Sequence, residues 1–159
     1  MTTVMRKQKK VDAYNFPYTF NPYTGCSYGC NYCYSIKSTI WSARLKRWGV
    51  KPLSVKPKGN VVQSLQKDLE SLKGIPRKYK EVQIGNFFDP YPPIEKQTKI
   101  TRQCLEVFTQ YPKWIVHLET KSELITRDID IFKQIPNFQA EITITTLTHD
   151  KHFEPYAPT

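Results

Sequence analysis

The chain has 159 residues, 39% of them hydrophobic and 13% aromatic, enough for one domain with its own core and too few for two. No stretch approaches the ~18 apolar residues of a membrane helix, and the basic, polar N-terminus does not read as a secretory leader. The expected compartment is therefore the cytoplasm, with thiols reduced rather than paired. Twenty-four Lys and Arg against fourteen Asp and Glu leave a net charge of +10, concentrated before Lys80. Such a field attracts polyanions, nucleic acid among them, and it also describes a merely solvated basic surface.

In chain order, short apolar strands alternate with amphipathic helices, the pattern of parallel βα units. Residues 1–14 read as a basic tail and 15–150 as the domain. Tyr18 to Tyr23 read as a first strand leading into a cysteine-rich loop. Ser35 to Trp48 reads as a helix with Ile36, Ile40, Ala43 and Trp48 on one face, and Gly49, Pro52, Pro57 and Gly59 mark a loop. Leu65, Leu69 and Leu72 mark a second helix, ended by Gly74 and Pro76. Val82 to Gly85 is a second strand, and Pro90, Pro92 and Pro93 keep the following loop from becoming helix. Gln97 to Tyr111 reads as a helix presenting Ile100, Cys104, Val107, Phe108 and Tyr111 inward. Trp114 to Leu118 is a third strand, Ile125, Ile129 and Phe132 mark a helix, and Ala140 to Leu147 alternates as a fourth strand. Residues 151–159, with Pro155 and Pro158, read as a frayed end.

The most informative word is Cys26, Cys30 and Cys33 in a Cys-x3-Cys-x2-Cys spacing. Three local thiolates can hold three corners of a 4Fe–4S cube and leave the fourth iron open to a ligand. Gly25 and Gly29 let the backbone curl closely, and Tyr28, Tyr32 and Tyr34 can shield the centre from water. Zinc with Cys104 as a distant fourth ligand is the alternative, although structural zinc sites usually present two separated pairs. Cys104 falls on the apolar stripe of its helix, where a free cysteine behaves as a small hydrophobe. His117, His149 and His152 form no metal-ligand spacing. Asn86 to Tyr91, Lys121 with Ser122, and Thr145 with Thr146 fall, like the cysteines, at carboxyl ends of strands, where parallel βα architectures gather functional groups.

The run Phe20-Asn-Pro-Tyr-Thr-Gly-Cys-Ser-Tyr-Gly-Cys-Asn-Tyr-Cys-Tyr34 resembles the signature of the radical S-adenosylmethionine (radical SAM) superfamily, with Tyr32 as the aromatic before the last cysteine. With Gly85-Asn-Phe-Phe-Asp-Pro-Tyr-Pro-Pro-Ile-Glu-Lys96, Thr101-Arg-Gln-Cys-Leu-Glu106, Thr120-Lys-Ser122 and Ile144-Thr-Thr-Leu147, it is similar to the spore-photolyase-like, DNA repair photolyase branch. The resemblance runs from about residue 15 to the end and matches the front half of that family's core. It implies an α/β fold, a partial (β/α) barrel of which about four βα units are present. It also implies a 4Fe–4S cluster on Cys26, Cys30 and Cys33, and S-adenosylmethionine cleaved reductively to a 5′-deoxyadenosyl radical in lyase-like chemistry. Tyr32 would lie beside the adenine, Lys121 would meet the methionyl carboxylate, and Asn86 the amino group. Ser122 and Thr145 would hydrogen-bond the cofactor, and Asp89 and Tyr91 would face substrate. Local alternatives stand beside these roles: a solvated Lys121, capping hydroxyls at Ser122 and Thr145, and a rigid Asp-Pro-Tyr turn. A reductant such as flavodoxin or ferredoxin, a nucleic-acid substrate, and a second polypeptide or self-association completing the barrel are the implied partners. The competing readings are a truncated or split cluster-binding subunit, inactive alone, and a basic zinc-bearing nucleic-acid-binding module.

Overall fold

The computed structural model describes residues 3–9, 16–148 and 150–158. It is a mixed α/β structure built on a five-stranded, mostly parallel sheet. In chain order the elements are β1 (Arg6–Lys7), β2 (Tyr18–Phe20), β3 (Tyr23–Thr24), α1 (Tyr34–Lys37), α2 (Thr39–Arg47), β4 (Lys56–Pro57) and α3 (Val61–Ser71). There follow β5 (Glu81–Ile84), α4 (Glu95–Thr98), α5 (Ile100–Thr109), β6 (Ile115–Thr120), α6 (Ile129–Phe132) and β7 (Phe138–Ile142). The sheet order is β1-β2-β5-β6-β7, with β1 alone antiparallel, and β3 and β4 form a separate two-stranded ribbon.

The pleat sorts side chains onto two unlike faces. Tyr18, Phe20, Val82, Ile84, Val116 and Leu118 pack into one core with Leu65 and Leu69 of α3 and Leu105 and Phe108 of α5. The other face carries a polar row in register, Thr19, Gln83, His117 and Gln139. The Gln8 amide donates to the Thr19 hydroxyl at 2.8 Å, and His117 pairs with Glu81 at 2.8 Å. Parallel sheets normally have both faces covered by helices. Here α3 and α5 cover the apolar face, while Thr19, Gln83 and His117 of the polar row are themselves buried, with Phe16 packed on His117 at 4.4 Å.

Local chemistry accounts for the departures from the sequence pattern. Asn21 and Pro22 end the first strand early, so Tyr23 and Thr24 turn off to pair with β4 inside the expected loop 49–60. The expected helix 35–48 breaks at Ser38, whose backbone is extended. Its Ala43 and Trp48 are exposed, while the side chains of Ile36 and Ile40, like His149, lie outside the described residues. Lys99, at φ +50°, divides α4 from α5. The helix expected around Ile125 to Phe132 is a 3-10 turn, Glu123–Asp128, followed by the single-turn α6. β7 starts and stops earlier than Ala140–Leu147, because Phe138 stacks on Phe132 at 4.3 Å while Leu147 is fully exposed. The N-terminal stretch is not simply a tail: the Asp68 carboxylate accepts from the amides of Val4 and Met5 at 2.7 and 2.9 Å, seating both in the core beside β1. Among the described residues no helix is long and apolar enough to cross a membrane.

Gly85 leaves β5 at φ +94°, and a Cβ there would stand 2.3 Å from the Glu119 carbonyl oxygen and 2.9 Å from Pro90. Gly85→Ala is therefore expected to cost about 2 kcal/mol or more, read from the midpoint of urea denaturation.

Candidate functional site

The four parallel strands deliver their carboxyl ends to one edge of the sheet. β2 feeds the cysteine loop, β5 feeds Asn86 to Tyr91, β6 ends at Thr120 beside Lys121, and β7 leads into Thr143 to Thr145. The cysteine loop is tightly wedged. Gly25 has φ +89°, and any Cβ would lie 2.0 Å from the Ser54 carbonyl oxygen. Gly29 has φ +65°, with Leu53 and Tyr156 at 2.9 and 3.1 Å from the same construction. All three cysteines are free thiols. Cys30 is buried with Tyr28 and Ala157, and Cys26 and Cys33 pack against that cluster. Cys33 opens α1, its carbonyl accepting from Lys37 at 2.9 Å, and the Tyr28 hydroxyl donates to the Tyr91 carbonyl at 2.6 Å. Cys26 also meets Leu45, Val50 and Phe88, beside a cavity of about 510 Å³ walled mainly by apolar groups.

Burial pushes the Cys26 thiol up to about 11, against backbone N–H bonds from Tyr28 and Asp89, and burial raises Cys30 as well. Both are thus protonated near neutrality in the metal-free chain, and ligation would have to displace protons. Among the described residues no group of three or more His, Cys, Asp and Glu side chains is arranged to hold a metal ion. The donor chemistry of the loop nonetheless suits an iron–sulfur cluster: three thiols in one apolar enclosure, with no carboxylate among the residues of the loop itself. Cys104 takes no part, because it lies fully buried in the main core rather than with the loop, which leaves the four-cysteine zinc set unassembled.

Beside the loop, Tyr32, Lys121 and Thr145, three of the expected cofactor-binding residues, come together. The Lys121 ammonium donates to the Thr145 hydroxyl at 3.2 Å and stands 5.3 Å from the centre of the Tyr32 ring. Tyr32 and Thr145 share a hydroxyl–hydroxyl bond of 2.9 Å. A fourth member was missed: the Glu154 carboxylate lies 2.9 Å from Lys121 Nζ, accepts from Thr145 at 2.7 Å, and accepts from the Tyr32 hydroxyl. These three donors hold Glu154 below the ordinary carboxylate range although its burial works the other way. Burial likewise opposes the charge on Lys121, and its bonds to Tyr32 and Glu154 outweigh it, raising its pKa.

Residues 150–158 are therefore not frayed. The Asn31 amide donates to the Phe153 carbonyl at 2.8 Å, the Tyr156 amide donates to the Tyr28 carbonyl at 3.2 Å, and Ala157 seals Cys30. Pro155 and Pro158 suggested fraying from sequence, whereas here the prolines stiffen a strap laid over the loop.

Other expected site residues are placed differently. Tyr91 is fully buried and donates to Asp128 at 3.0 Å, so it does not face a substrate. Asp89 is spent inside the scaffold, accepting from the Thr120 hydroxyl at 2.7 Å and the amides of Tyr91 and Lys121 at 2.8 and 2.9 Å. Ser122 is buried and caps the 3-10 turn by accepting from the Leu124 amide, the local role foreseen as the alternative. Asn86 donates to Gln83 at 2.9 Å and lines a cleft with Arg6 and Lys58. Glu95 was also missed: fully buried, it accepts from the Tyr23 hydroxyl and the amides of Thr101 and Arg102 at the start of α5, and pairs with Arg127 at 2.7 Å.

No known family model matches the sequence, and no solved structure resembles it significantly. The chain is 32% identical over 143 residues to the uncharacterized protein MJ0683 of Methanocaldococcus jannaschii, an alignment covering 89% of this chain and 50% of the relative. The chain thus spans about half the length of the curated relative it matches.

The charges around Cys30 give a signed expectation. Glu154 opposes the Cys30 thiolate and Lys121 favours it. In metal-free protein, Glu154→Gln should move the pH midpoint of Cys30 alkylation downward and Lys121→Met should move it upward, followed residue by residue by mass spectrometry.

Proposed function

We propose that this chain is the front part of a radical SAM protein of the spore-photolyase-like type, with Cys26, Cys30 and Cys33 as the thiolate ligands of a 4Fe–4S cluster. The observation that carries this reading is the meeting of Tyr32, Lys121 and Thr145 beside the cysteine loop, three residues drawn from three separate strand ends. When bound at Cys26, Cys30 and Cys33, such a cluster would supply the one-electron reduction needed to cleave the sulfonium bond of S-adenosylmethionine. The protein's own residues bind and exclude. Lys121 offers a compact cation to a carboxylate, Tyr32 offers a ring to the adenine, and Thr145 offers a hydroxyl between them. Leu45, Val50 and Phe88 pack apolar surface against Cys26, and the strap carrying Glu154 and Ala157 covers the Cys30 side.

The parallel order of β2, β5, β6 and β7 suits four units of a partial (β/α) barrel, whose interior would be the face carrying Thr19, Gln83 and His117. An outside reductant of the flavodoxin or ferredoxin kind would deliver the electron. A second reading, a cluster-binding subunit inactive alone, is favoured by one specific feature. β7 has no further strand beside it among the described residues, and Ile142, Ile144 and Leu147 are exposed there. A second polypeptide or a second copy would then complete the barrel.

Anaerobic reconstitution followed by dithionite and S-adenosylmethionine should yield 5′-deoxyadenosine from the wild-type chain, and Cys33→Ser should reduce the yield to background. A reconstituted chain that holds iron and sulfide yet leaves S-adenosylmethionine intact would overturn the catalytic reading in favour of the subunit reading.

A further inference from the structure

A cleft of about 630 Å³ lies over the β1–β2 edge of the sheet, with Cys26 itself not in its lining. Five cations line it: Arg6 and Lys7 of β1, Lys9 two residues beyond it, and Lys56 and Lys58 from β4 and the segment after it. No Asp or Glu lines it, and none of the five makes an ion pair among the described residues. The Asp68 carboxylate is committed to the amides of Val4 and Met5, which fixes the N-terminal strand so that Arg6 is presented from a hydrogen-bonded backbone. Lys58 is half-buried, and burial together with the nearby Arg6 charge brings its pKa down to about 8. Holding like charges around one concavity is unfavourable in the empty protein, and an entering polyanion relieves it. Aromatic surface adjoins the cations. Trp48, 40% exposed, carries the Arg6 guanidinium 5.7 Å from its ring centre, and Phe87 and Phe88 form the wall shared with the Cys26 side. A second cavity of about 500 Å³ shares Arg6, Lys56 and Lys58, so the same three cations serve a continuous basic groove.

We propose that this cleft is an anion site for a ligand bearing two or more phosphate groups, presented either as an oligophosphate or as the phosphodiester backbone of a nucleic-acid strand. Phosphate oxygens take the compact ammonium groups and the planar guanidinium, and the exposed indole gives an attached base a stacking surface. The carboxylates of an acidic protein lack the charge density to use five converging cations in so small a cleft. The five cations of the cleft are not among the residues of the proposed cluster site, so loss of one binding activity is distinguishable from loss of the other.

The test titrates the full chain with inorganic pyrophosphate, with a fluorescein-labelled 12-nucleotide single strand, and with polyglutamate, across a series of KCl concentrations. Pyrophosphate should raise the melting temperature, or the strand should bind with a slope of log affinity against log salt of roughly −0.7 per phosphate contact. Lys56→Met with Lys58→Met should weaken that binding at least ~10-fold and flatten the salt slope by about 1.4, the loss of two contacts. Its melting temperature without ligand should stay level or rise, since repulsion is removed. Arg6→Gln, a second variant on a different element, should weaken binding in the same direction. Pyrophosphate binding that competes with the strand identifies an oligophosphate seat, and binding of the strand alone identifies a backbone groove; either supports the site. Wild-type affinity and slope in the double variant, equal affinity for polyglutamate, or no binding of pyrophosphate and strand alike would overturn it.

Discussion

The carboxylate of Asp89 joins the two strand ends on which the candidate centre rests. One oxygen accepts from the Thr120 hydroxyl and the Tyr91 amide, the other from the Lys121 amide, so the loop after β5 is braced on itself and tied to the end of β6 at two points. The same residue's backbone N–H reaches the Cys26 sulfur. Enclosure raises the Asp89 pKa, with the three donors opposing that rise. A buried carboxylate that has its donors is stabilising, and one that loses them is costly. Lys121 is consequently aimed at Tyr32, Thr145 and Glu154 by a clamp that also steadies the first cysteine.

A second frame lies behind this one. Glu95, Arg127, Asp128 and Arg102 form a chain of charge pairs, with Glu95 and Asp128 wholly buried and the Tyr23 and Tyr91 hydroxyls bonded into it. Such a network adds less to stability than an apolar core of equal volume, but it fixes a single arrangement of the elements it joins. Here it anchors α5 and the 3-10 turn after β6 to the ribbon strand β3, holding the strand ends in place from behind.

Much of this was legible in the residues because it follows from local rules. Short apolar runs marked Val82 to Gly85 and Trp114 to Leu118, and Pro90, Pro92 and Pro93 marked the loop after the first of them. The cysteine spacing marked its loop, and strand-end placement singled out Lys121 and Thr145, which meet Tyr32 in the structure. What escaped depends on partners distant in sequence. Tyr91 looked like a loop residue open to substrate, yet Tyr28 and Asp128, 63 and 37 positions away, draw it into the core. Glu154 sits in a proline-containing end that resembles a frayed tail until Asn31 and Tyr28 supply its backbone partners. β1 was hidden in a basic stretch because a two-residue edge strand carries no periodicity, and only Asp68 reveals why it is held.

The central claim is that the Cys26–Cys33 loop holds an iron–sulfur cluster, and metal content tests it most directly. Anaerobically reconstituted chain should contain about four irons and four sulfides, with visible thiolate-to-iron absorption, and a variant with all three loop cysteines replaced by serine should contain neither. One zinc per chain without sulfide, or iron and sulfide retained by the triple variant, would contradict it.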